Sequence, residues 1–230
     1  MSPDRALVLA DGDPPTQAGL DRAWPGWADG IDLVVAADGG ARLARALGLA
    51  IDAWVGDGDS LGAAALDELR RSGIPIELAA TDKDASDAEL GLLAAIRAGA
   101  REVTILGALG GPRLDHALAN VQLLAHPAAA GLAVRLLDPA GCVRLLVAPD
   151  RDGAPVRLEL VCRQGDTVSL LPLGDAGGVT TTGLRYPLDD EDLPAGPARG
   201  LSNVRVGSSA SVTLGRGRLL VVEVPATLPE

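Results

Sequence analysis

The chain has 230 residues, a formal net charge of −11 and 47% hydrophobic residues, enough for one large domain or two modest ones with a sizeable core. The acidic charge repels phosphate backbones, which argues against non-specific nucleic-acid binding. Two cysteines without metal-ligand spacing, a polar start and only short apolar runs predict a cytoplasmic protein without disulfides, signal peptide or membrane segment.

Strands and helices alternate in the first two-thirds of the chain. Strands are predicted at 6–10, 32–37, 53–55, 74–78, 102–106 and 133–137, and helices at 41–47, 61–72, 88–98 and 115–124. These strands are continuous apolar runs rather than alternating ones. They therefore predict an α/β fold with a mostly parallel sheet and helices on both faces.

The pattern changes after residue 149, where no convincing helix follows. Strands are predicted at 156–162, 167–171, 179–182, 210–214 and 218–224, and the acidic, proline-rich stretch 187–200 is predicted to be a long loop. Short strands between Gly-, Asp- and Pro-rich turns are typical of an all-β domain. We therefore predict an α/β domain over residues 1–150 and a smaller, sandwich-like β domain over 151–230.

Acidic or glycine-rich segments follow four successive predicted strands. They are Asp38 to Gly40, Gly56 to Ser60, Thr81 to Asp87 and Gly107 to His116. The carboxyl ends of parallel strands lie at one edge of a sheet, and that edge is where such sheets bind ligands. Segments spread along the sequence are therefore expected to converge on one site.

Asp57 and Asp59 are the first candidate metal ligands. Residues two apart in extended backbone point to the same side, and two carboxylates held close together repel each other unless a cation lies between them. Mg²⁺ prefers one or two carboxylates together with water and phosphate oxygens. Considered alone, however, Gly-Asp-Gly-Asp is ordinary turn chemistry, and the turn is the favoured interpretation of this segment by itself.

The segment before the helix at 88–98 supports two interpretations. Ser86 and Glu89 form a Ser-x-x-Glu capping box, and Asp87 in the first turn complements the helix dipole. Capping does not explain why Asp82 and Asp84 flank Lys83. A metal–phosphate site and a solvated acidic loop both remain open for these three residues.

Gly110 and Gly111 allow backbone amides to approach a phosphate next to a helix N-terminus. Arg113 can bind phosphate oxygens bidentately. Asp115 can cap the helix, bind metal or hold an acceptor. The sequence lacks the Gly-x-Gly-x-x-Gly, Gly-x-x-x-x-Gly-Lys-Ser/Thr and Gly-x-Ser-x-Gly motifs, which argues against a nicotinamide enzyme, a P-loop kinase and a serine hydrolase.

These segments, taken in order, resemble the thiamine pyrophosphokinase (thiamine diphosphokinase) family. The matching segments are Ala37-Asp38-Gly39-Gly40-Ala41, Val55-Gly56-Asp57-Gly58-Asp59-Ser60, Asp82 to Glu89 and Gly107 to His116, with weaker matches at Gly183 to Leu188 and Gly200 to Asn203. A single motif of this kind is weak evidence, whereas several motifs in the family's order are specific.

The resemblance implies a homodimer with an α/β catalytic domain and a C-terminal β-sandwich, which uses Mg²⁺ to convert ATP and thiamine to AMP and thiamine diphosphate.

The resemblance also assigns roles to residues by motif position. The metal carboxylates would be Asp57, Asp59 and Asp87; Arg113 and Asp115 would flank the transferring group; Asp38, Gly39, Gly40, Lys83, Asp84, Gly110 and Gly111 would line the ATP site; and Ser202 and Asn203 would hold thiamine, from the partner subunit. The expected reaction is in-line attack of the acceptor hydroxyl on the β-phosphorus, with AMP leaving. Asp115 would orient that hydroxyl or accept its proton.

Four positions depart from the family pattern. Gly58 stands where an aromatic is usual, Ser86 stands where a threonine is usual but keeps the helix cap, Pro112 is inserted before Arg113, and an aromatic expected near Val221 is absent. The last departure affects acceptor identity more than ATP use. Two alternatives therefore accompany the prediction: a pyrophosphokinase for another hydroxymethyl heterocycle, such as a pterin, and a non-catalytic sensor of the nucleotide or of thiamine diphosphate.

Overall fold

The computed structural model describes residues 3–80, 84–149 and 153–226. Its contacts divide the chain into two compact units, Met1–Asp138 and Pro139–Glu230. The boundary predicted after residue 150 is therefore too late. The reason is strand β7 (Gly141–Ala148), which sequence analysis missed and which pairs antiparallel with β13 (Arg216–Val224) of the second unit.

The first unit alternates strands with helices, as predicted. Its elements are β1 (Arg5–Leu9), α1 (Gln17–Ala23), β2 (Leu33–Ala37), α2 (Gly40–Ala46), β3 (Ala53–Gly56), α3 (Ala63–Ser72), β4 (Ile76–Leu78), α4 (Asp87–Ala98), β5 (Glu102–Leu106), α5 (Leu114–Leu123), a 3₁₀ turn (Pro127–Ala129) and β6 (Ala133–Asp138). Helix α1 was not predicted. The buried strands are the continuous apolar runs of the sequence, which is why their positions were predictable.

The strands of the first unit form a parallel sheet in the order β4-β3-β2-β1-β5-β6. The chain adds strands on one side of β1 as far as β4 and then crosses to the other side to form β5. Because such crossovers are right-handed, this reversal places helices on both faces of the sheet, which confirms the predicted fold class. Helix α4 packs on β1, β2, β3 and β5, and α2 packs on β1 and β2.

The reversal beside β1 determines where a ligand is expected to bind. Open α/β sheets bind ligands at the carboxyl ends of the strands on either side of such a switch point. Here those strands are β1 and β5, and their ends are joined by a hydrogen bond of 2.8 Å from the Gly12 N–H to the Gly107 carbonyl.

The second unit is built from antiparallel strands. It contains β7, β8 (Val156–Glu159), β9 (Thr167–Thr182), β10 (Glu191–Leu193), β11 (Asn203–Val204), β12 (Ser211–Leu214) and β13, in the order β7-β13-β9-β12-β8, with β10 and β11 also paired to β9. Sequence analysis divided β9 into two strands because Pro172 and nearby glycines read as a turn. Pro172 instead lies opposite Leu219, and a register shift between Gly217 and Leu219 accommodates the irregularity.

A buried ion pair joins the strands of the second unit. Glu223 is 0% exposed; it pairs with Arg144 of β7 and accepts a 2.7 Å hydrogen bond from the Cys162 N–H. Removing one partner of a buried pair leaves the other charge uncompensated in a low-dielectric environment.

We expect Glu223→Ala to lower the free energy of unfolding by about 3–5 kcal/mol, measured by urea denaturation. Glu68→Ala is the control, because Glu68 pairs with Arg45 at a site where its side chain is 60% exposed, and exposed pairs contribute only about 0–1 kcal/mol. Equal effects of the two substitutions would contradict the structural role of Glu223.

Candidate active site

Asp38 is the buried centre of the site. It follows β2 with a positive φ of 42°, a region that aspartate tolerates better than most residues. Its carbonyl accepts a 3.0 Å hydrogen bond from the Trp54 indole, and its N–H donates to the Val55 carbonyl at 2.8 Å. Gly56 lies directly against it, since a Cβ at that position would come within 2.9 Å of the Asp38 Cβ. The end of β3 therefore holds the Asp38 backbone in place.

Asp57 and Asp59 converge with Asp38. One carboxylate oxygen from each of the three residues lies within 4.8 Å of the others. The loop is organised locally by the Asp59 N–H, which donates to Asp57 Oδ1 at 3.1 Å, and by the Ser60 hydroxyl, which donates to Asp59 Oδ1 at 3.1 Å. The structure therefore brings together two predicted metal ligands and adds Asp38, which the resemblance placed in the nucleotide site.

The chemistry of this group suits a hard divalent cation. Asp38 is 0% exposed, and its Oδ2 accepts a 3.2 Å hydrogen bond from the Ser60 N–H. Its Oδ1 has no hydrogen-bond partner in the part of the chain that the structure describes. Burial raises the pKa of Asp38, an effect that the Ser60 hydrogen bond opposes. A buried carboxylate oxygen beside two further carboxylates fits oxygen coordination of Mg²⁺.

Asp87 begins helix α4, and its negative charge also raises the pKa of Asp38. The cap predicted for this helix is present, because Ser86 Oγ accepts from the Glu89 N–H at 3.2 Å. The Glu89 carboxylate instead lies 3.4 Å from His126. Asp87 thus combines a position in the first helical turn with electrostatic coupling to the aspartate group.

The glycines predicted to bind ATP pack tightly. A Cβ on Gly39 would overlap the Asp11 carboxylate, and one on Gly40 would overlap the Leu9 carbonyl oxygen. Gly110 and Gly111 both have φ near +82°, and the Gly111 N–H donates to Asp13 Oδ2 at 2.8 Å. The backbone of this turn, which follows β5, therefore binds a carboxylate of the chain itself.

Arg113 and Asp115 contact each other. Two hydrogen bonds of 2.9 and 2.6 Å join the guanidinium to the carboxylate. The hydrogen bond from Arg113 lowers the pKa of Asp115 to about 2. Arg113 itself occupies the N-cap position of α5, so the capping role considered for Asp115 is wrong. While this pair is formed, the Asp115 carboxylate is a weak base.

The structure gives little information on two residues predicted for the ATP site. Lys83 lies outside the described residues, as does Asp82. Asp84 is exposed and precedes α4.

The second unit contains a separate pocket. It is lined by Leu170, Tyr186, Leu188, Arg199, Gly200, Leu201 and Asn203. Both weakly matching segments of the β region contribute to this lining. The predicted residue Asn203 is buried and uses its amide on the backbone: Nδ2 donates to the Tyr186 carbonyl at 2.6 Å, and Oδ1 accepts from the Tyr186 N–H at 3.0 Å. Asn203 thus holds Tyr186, while Ser202 is exposed with a φ of 57°.

Comparison with known proteins gives the same family in both units. A model of the thiamin pyrophosphokinase catalytic domain matches residues 27–136, and a model of the vitamin B1 binding domain of thiamin pyrophosphokinase matches residues 156–219. The chain belongs to the thiamin pyrophosphokinase family.

Individual relatives agree with this assignment. Thiamine pyrophosphokinase of Bacillus subtilis (strain 168) is 25% identical over 168 residues, which are 73% of this chain and 75% of the relative. Crystal structures of thiamine pyrophosphokinase from Bacillus subtilis and of a family protein from Enterococcus faecalis each give a TM-score of 0.79, at 21% and 25% identity, over 97% of this chain and 100% of theirs. The predicted enzyme class is confirmed.

Sequence analysis missed one acidic segment beside these strand ends. Asp11-Gly12-Asp13 follows β1 at the switch point, where Asp11 contacts Arg42 and Asp13 contacts Gly111. The signal was the same one used for the other strand ends: an acidic, glycine-containing segment directly after a buried strand.

In the structure, no helix in the described ranges is both long and apolar enough to cross a membrane.

We expect Asp38→Asn to raise the melting temperature of the metal-free protein at pH 7 by about 2–4 °C, equivalent to about 1 kcal/mol. The neutral amide avoids the cost of burying a charge, and asparagine also accepts a positive φ. Circular dichroism melts would measure the shift, with exposed Asp67→Asn as the control.

The effect should depend on pH. The folded wild-type protein holds the Asp38 proton more tightly than the unfolded chain, so this contribution is complete below the ordinary pKa of 3.8 and is lost as the pH rises through the raised value. The advantage of Asp38→Asn should therefore disappear in acid. An advantage that stays constant with pH would show that ionisation of Asp38 is not its cause.

Proposed function

We propose that this thiamin pyrophosphokinase family member transfers the pyrophosphoryl group of ATP to the hydroxyl of thiamine at the aspartate group of the first unit. The observation that carries the proposal is the convergence of Asp38, Asp57 and Asp59 at the carboxyl edge of the sheet, with a buried oxygen of Asp38 directed to no hydrogen-bond donor in the described residues. Three carboxylates this close together repel one another, and a bound cation relieves that repulsion.

Asp38, Asp57 and Asp59 would hold Mg²⁺, and Asp87 would add negative charge beside them. When bound, Mg²⁺ neutralises phosphate charge and allows an anionic triphosphate to approach an acidic protein. This set differs from the set implied by the resemblance in that it includes Asp38, whereas Asp87 stays a predicted ligand that lies outside the three-carboxylate cluster.

Arg113 is the residue proposed to stabilise the transferring group. Its fork-shaped guanidinium now binds the Asp115 carboxylate through two hydrogen bonds, and phosphate oxygens match the same geometry. Exchange of the carboxylate for phosphate would leave Asp115 available to orient the acceptor hydroxyl. The Gly110–Gly111 turn, which binds the Asp13 carboxylate, is proposed to receive a nucleotide phosphate by a similar exchange.

The pocket of the second unit is proposed to bind thiamine. Tyr186 is 57% exposed and its backbone is fixed by Asn203, so an aromatic face is available for a planar, cationic ligand. This role supports Asn203 as an indirect contributor. Ser202 remains a predicted contact.

A homodimer and a cytoplasmic location complete the proposal. Leu114 and Leu118 lie one turn apart on α5 and are 71% and 58% exposed, an apolar stripe that suits a protein contact. Cys142 and Cys162 are both buried thiols, which suits a reducing compartment.

Asp57→Asn and Asp59→Asn should each reduce turnover by about 100-fold or more, because a bound metal contributes several kcal/mol to charge stabilisation. The assay is AMP release from ATP, Mg²⁺ and thiamine, resolved by chromatography. Asp67→Asn is the control and should keep full activity. Wild-type rates in either site variant would refute the metal role, and a wild-type protein that binds ligands without releasing AMP would indicate a sensor.

Tyr186→Ala should raise the KM for thiamine about tenfold while leaving the KM for ATP unchanged, because loss of aromatic contact costs about 1–1.5 kcal/mol. Leu171→Ala is the matched control: Leu171 follows the pocket residue Leu170 on β9 and points to the opposite side of the strand. Steady-state kinetics with each substrate varied in turn would separate the two constants. An unchanged KM for thiamine would place the acceptor elsewhere.

A further inference from the structure

Arg42 connects two strand ends of the first unit. This residue lies on α2, and its Nη2 donates to both oxygens of the Asp11 carboxylate at 2.7 and 2.8 Å. Its Nη1 donates to the Ser60 carbonyl at 2.5 Å. One guanidinium therefore joins the segment after β1 to the loop after β3.

Ser60 is the point at which this contact reaches the aspartate group. Its N–H donates to Asp38 Oδ2 at 3.2 Å, and its hydroxyl donates to Asp59 Oδ1 at 3.1 Å. Fixing the Ser60 carbonyl therefore restrains the residue that orients two of the three carboxylates. Ser60 therefore links Arg42 to two of the three carboxylates.

Asp11 gives Arg42 a fixed base. Its carboxylate lies so close to the Gly39 backbone that a Cβ at Gly39 would overlap it. Gly39 is the N-cap of α2 and directly follows Asp38. The Asp11 carboxylate thus lies between the start of α2 and the Arg42 guanidinium and seats the guanidinium, although the Arg42 side chain is 55% exposed and the Asp11 side chain 35% exposed.

We propose that Arg42, seated by Asp11, is a positioning residue that sets the Ser60 loop so that Asp38, Asp57 and Asp59 present their oxygens to one divalent cation. This inference rests on the proposed metal site and adds a residue that none of the family motifs assigns. Its physical content is that a cation site needs its ligands held in place, and outer contacts supply that restraint.

Electrostatics alone and positioning predict opposite results when Arg42 is removed. Deleting a positive charge near three carboxylates makes the local potential more negative, which by itself strengthens cation binding. Releasing the Ser60 loop weakens cation binding, because the ligands must then be ordered when the ion arrives. The direction of the change in affinity therefore separates the two effects.

The test is Mn²⁺ binding to the intact, nucleotide-free protein, followed by the loss of the free Mn²⁺ electron paramagnetic resonance signal. Arg42→Ala should weaken binding by about 10- to 100-fold, as is typical for residues that orient metal ligands. Arg42→Lys should recover part of the affinity, because an ammonium can reach one partner but cannot donate as a fork. Arg45→Ala is the control, as it removes the same charge from the same helix at an exposed pair with Glu68.

Each outcome has a defined meaning. Weaker binding in Arg42→Ala, with partial recovery in Arg42→Lys, unchanged binding in Arg45→Ala and native circular dichroism in all three, supports the proposal. Equal or tighter binding in Arg42→Ala, beside a wild-type protein that binds Mn²⁺, overturns the positioning role and leaves the metal site intact. Failure of the wild-type protein to bind Mn²⁺ overturns the metal site and this inference with it.

Discussion

The hydrogen bond from the Ser60 N–H to the buried Asp38 carboxylate links the fold to the chemistry. Asp38 is carried by β2, and Ser60 ends the loop that β3 projects, so the bond exists only because the two strands are neighbours in a parallel sheet. Burying a carboxylate costs free energy unless it is compensated. One hydrogen bond compensates it in part, and the remaining deficit is what a bound cation would remove. Without a cation, the buried carboxylate therefore lowers the stability of the folded protein.

Carboxylates also occupy the groups expected to bind phosphate. The Gly111 amide binds Asp13, and the Arg113 fork binds Asp115. An acidic protein whose ligand is anionic must keep its donors ordered without repelling that ligand. Internal carboxylates of matching geometry order the donors in the absence of ligand, and a metal–triphosphate complex can displace them because it brings its own positive charge.

The two units divide the recognition problem. The first presents the carboxylates, the arginine and the glycine turn that we propose bind phosphates, whereas the second presents an aromatic pocket whose shape depends on the buried amide of Asn203. Tyr186 is the single tyrosine of a chain that has no phenylalanine. Placing it in a pocket, exposed and with its backbone fixed, is consistent with binding rather than with core packing.

The sequence by itself determined the strand–helix alternation, the acidic turns at the strand ends and the family, because apolar runs and local motifs are written in consecutive residues. Tertiary structure decided which carboxylates meet. Asp38 joined Asp57 and Asp59 because β2 and β3 are adjacent, and Asp11 reached Arg42 because β1 lies at the switch point. Tertiary structure also made one strand of the two strands predicted within β9, because β9 pairs with β13 through a register shift although Pro172 is typical of a turn. Contacts between residues distant in sequence depend on strand order and register, which no local pattern specifies.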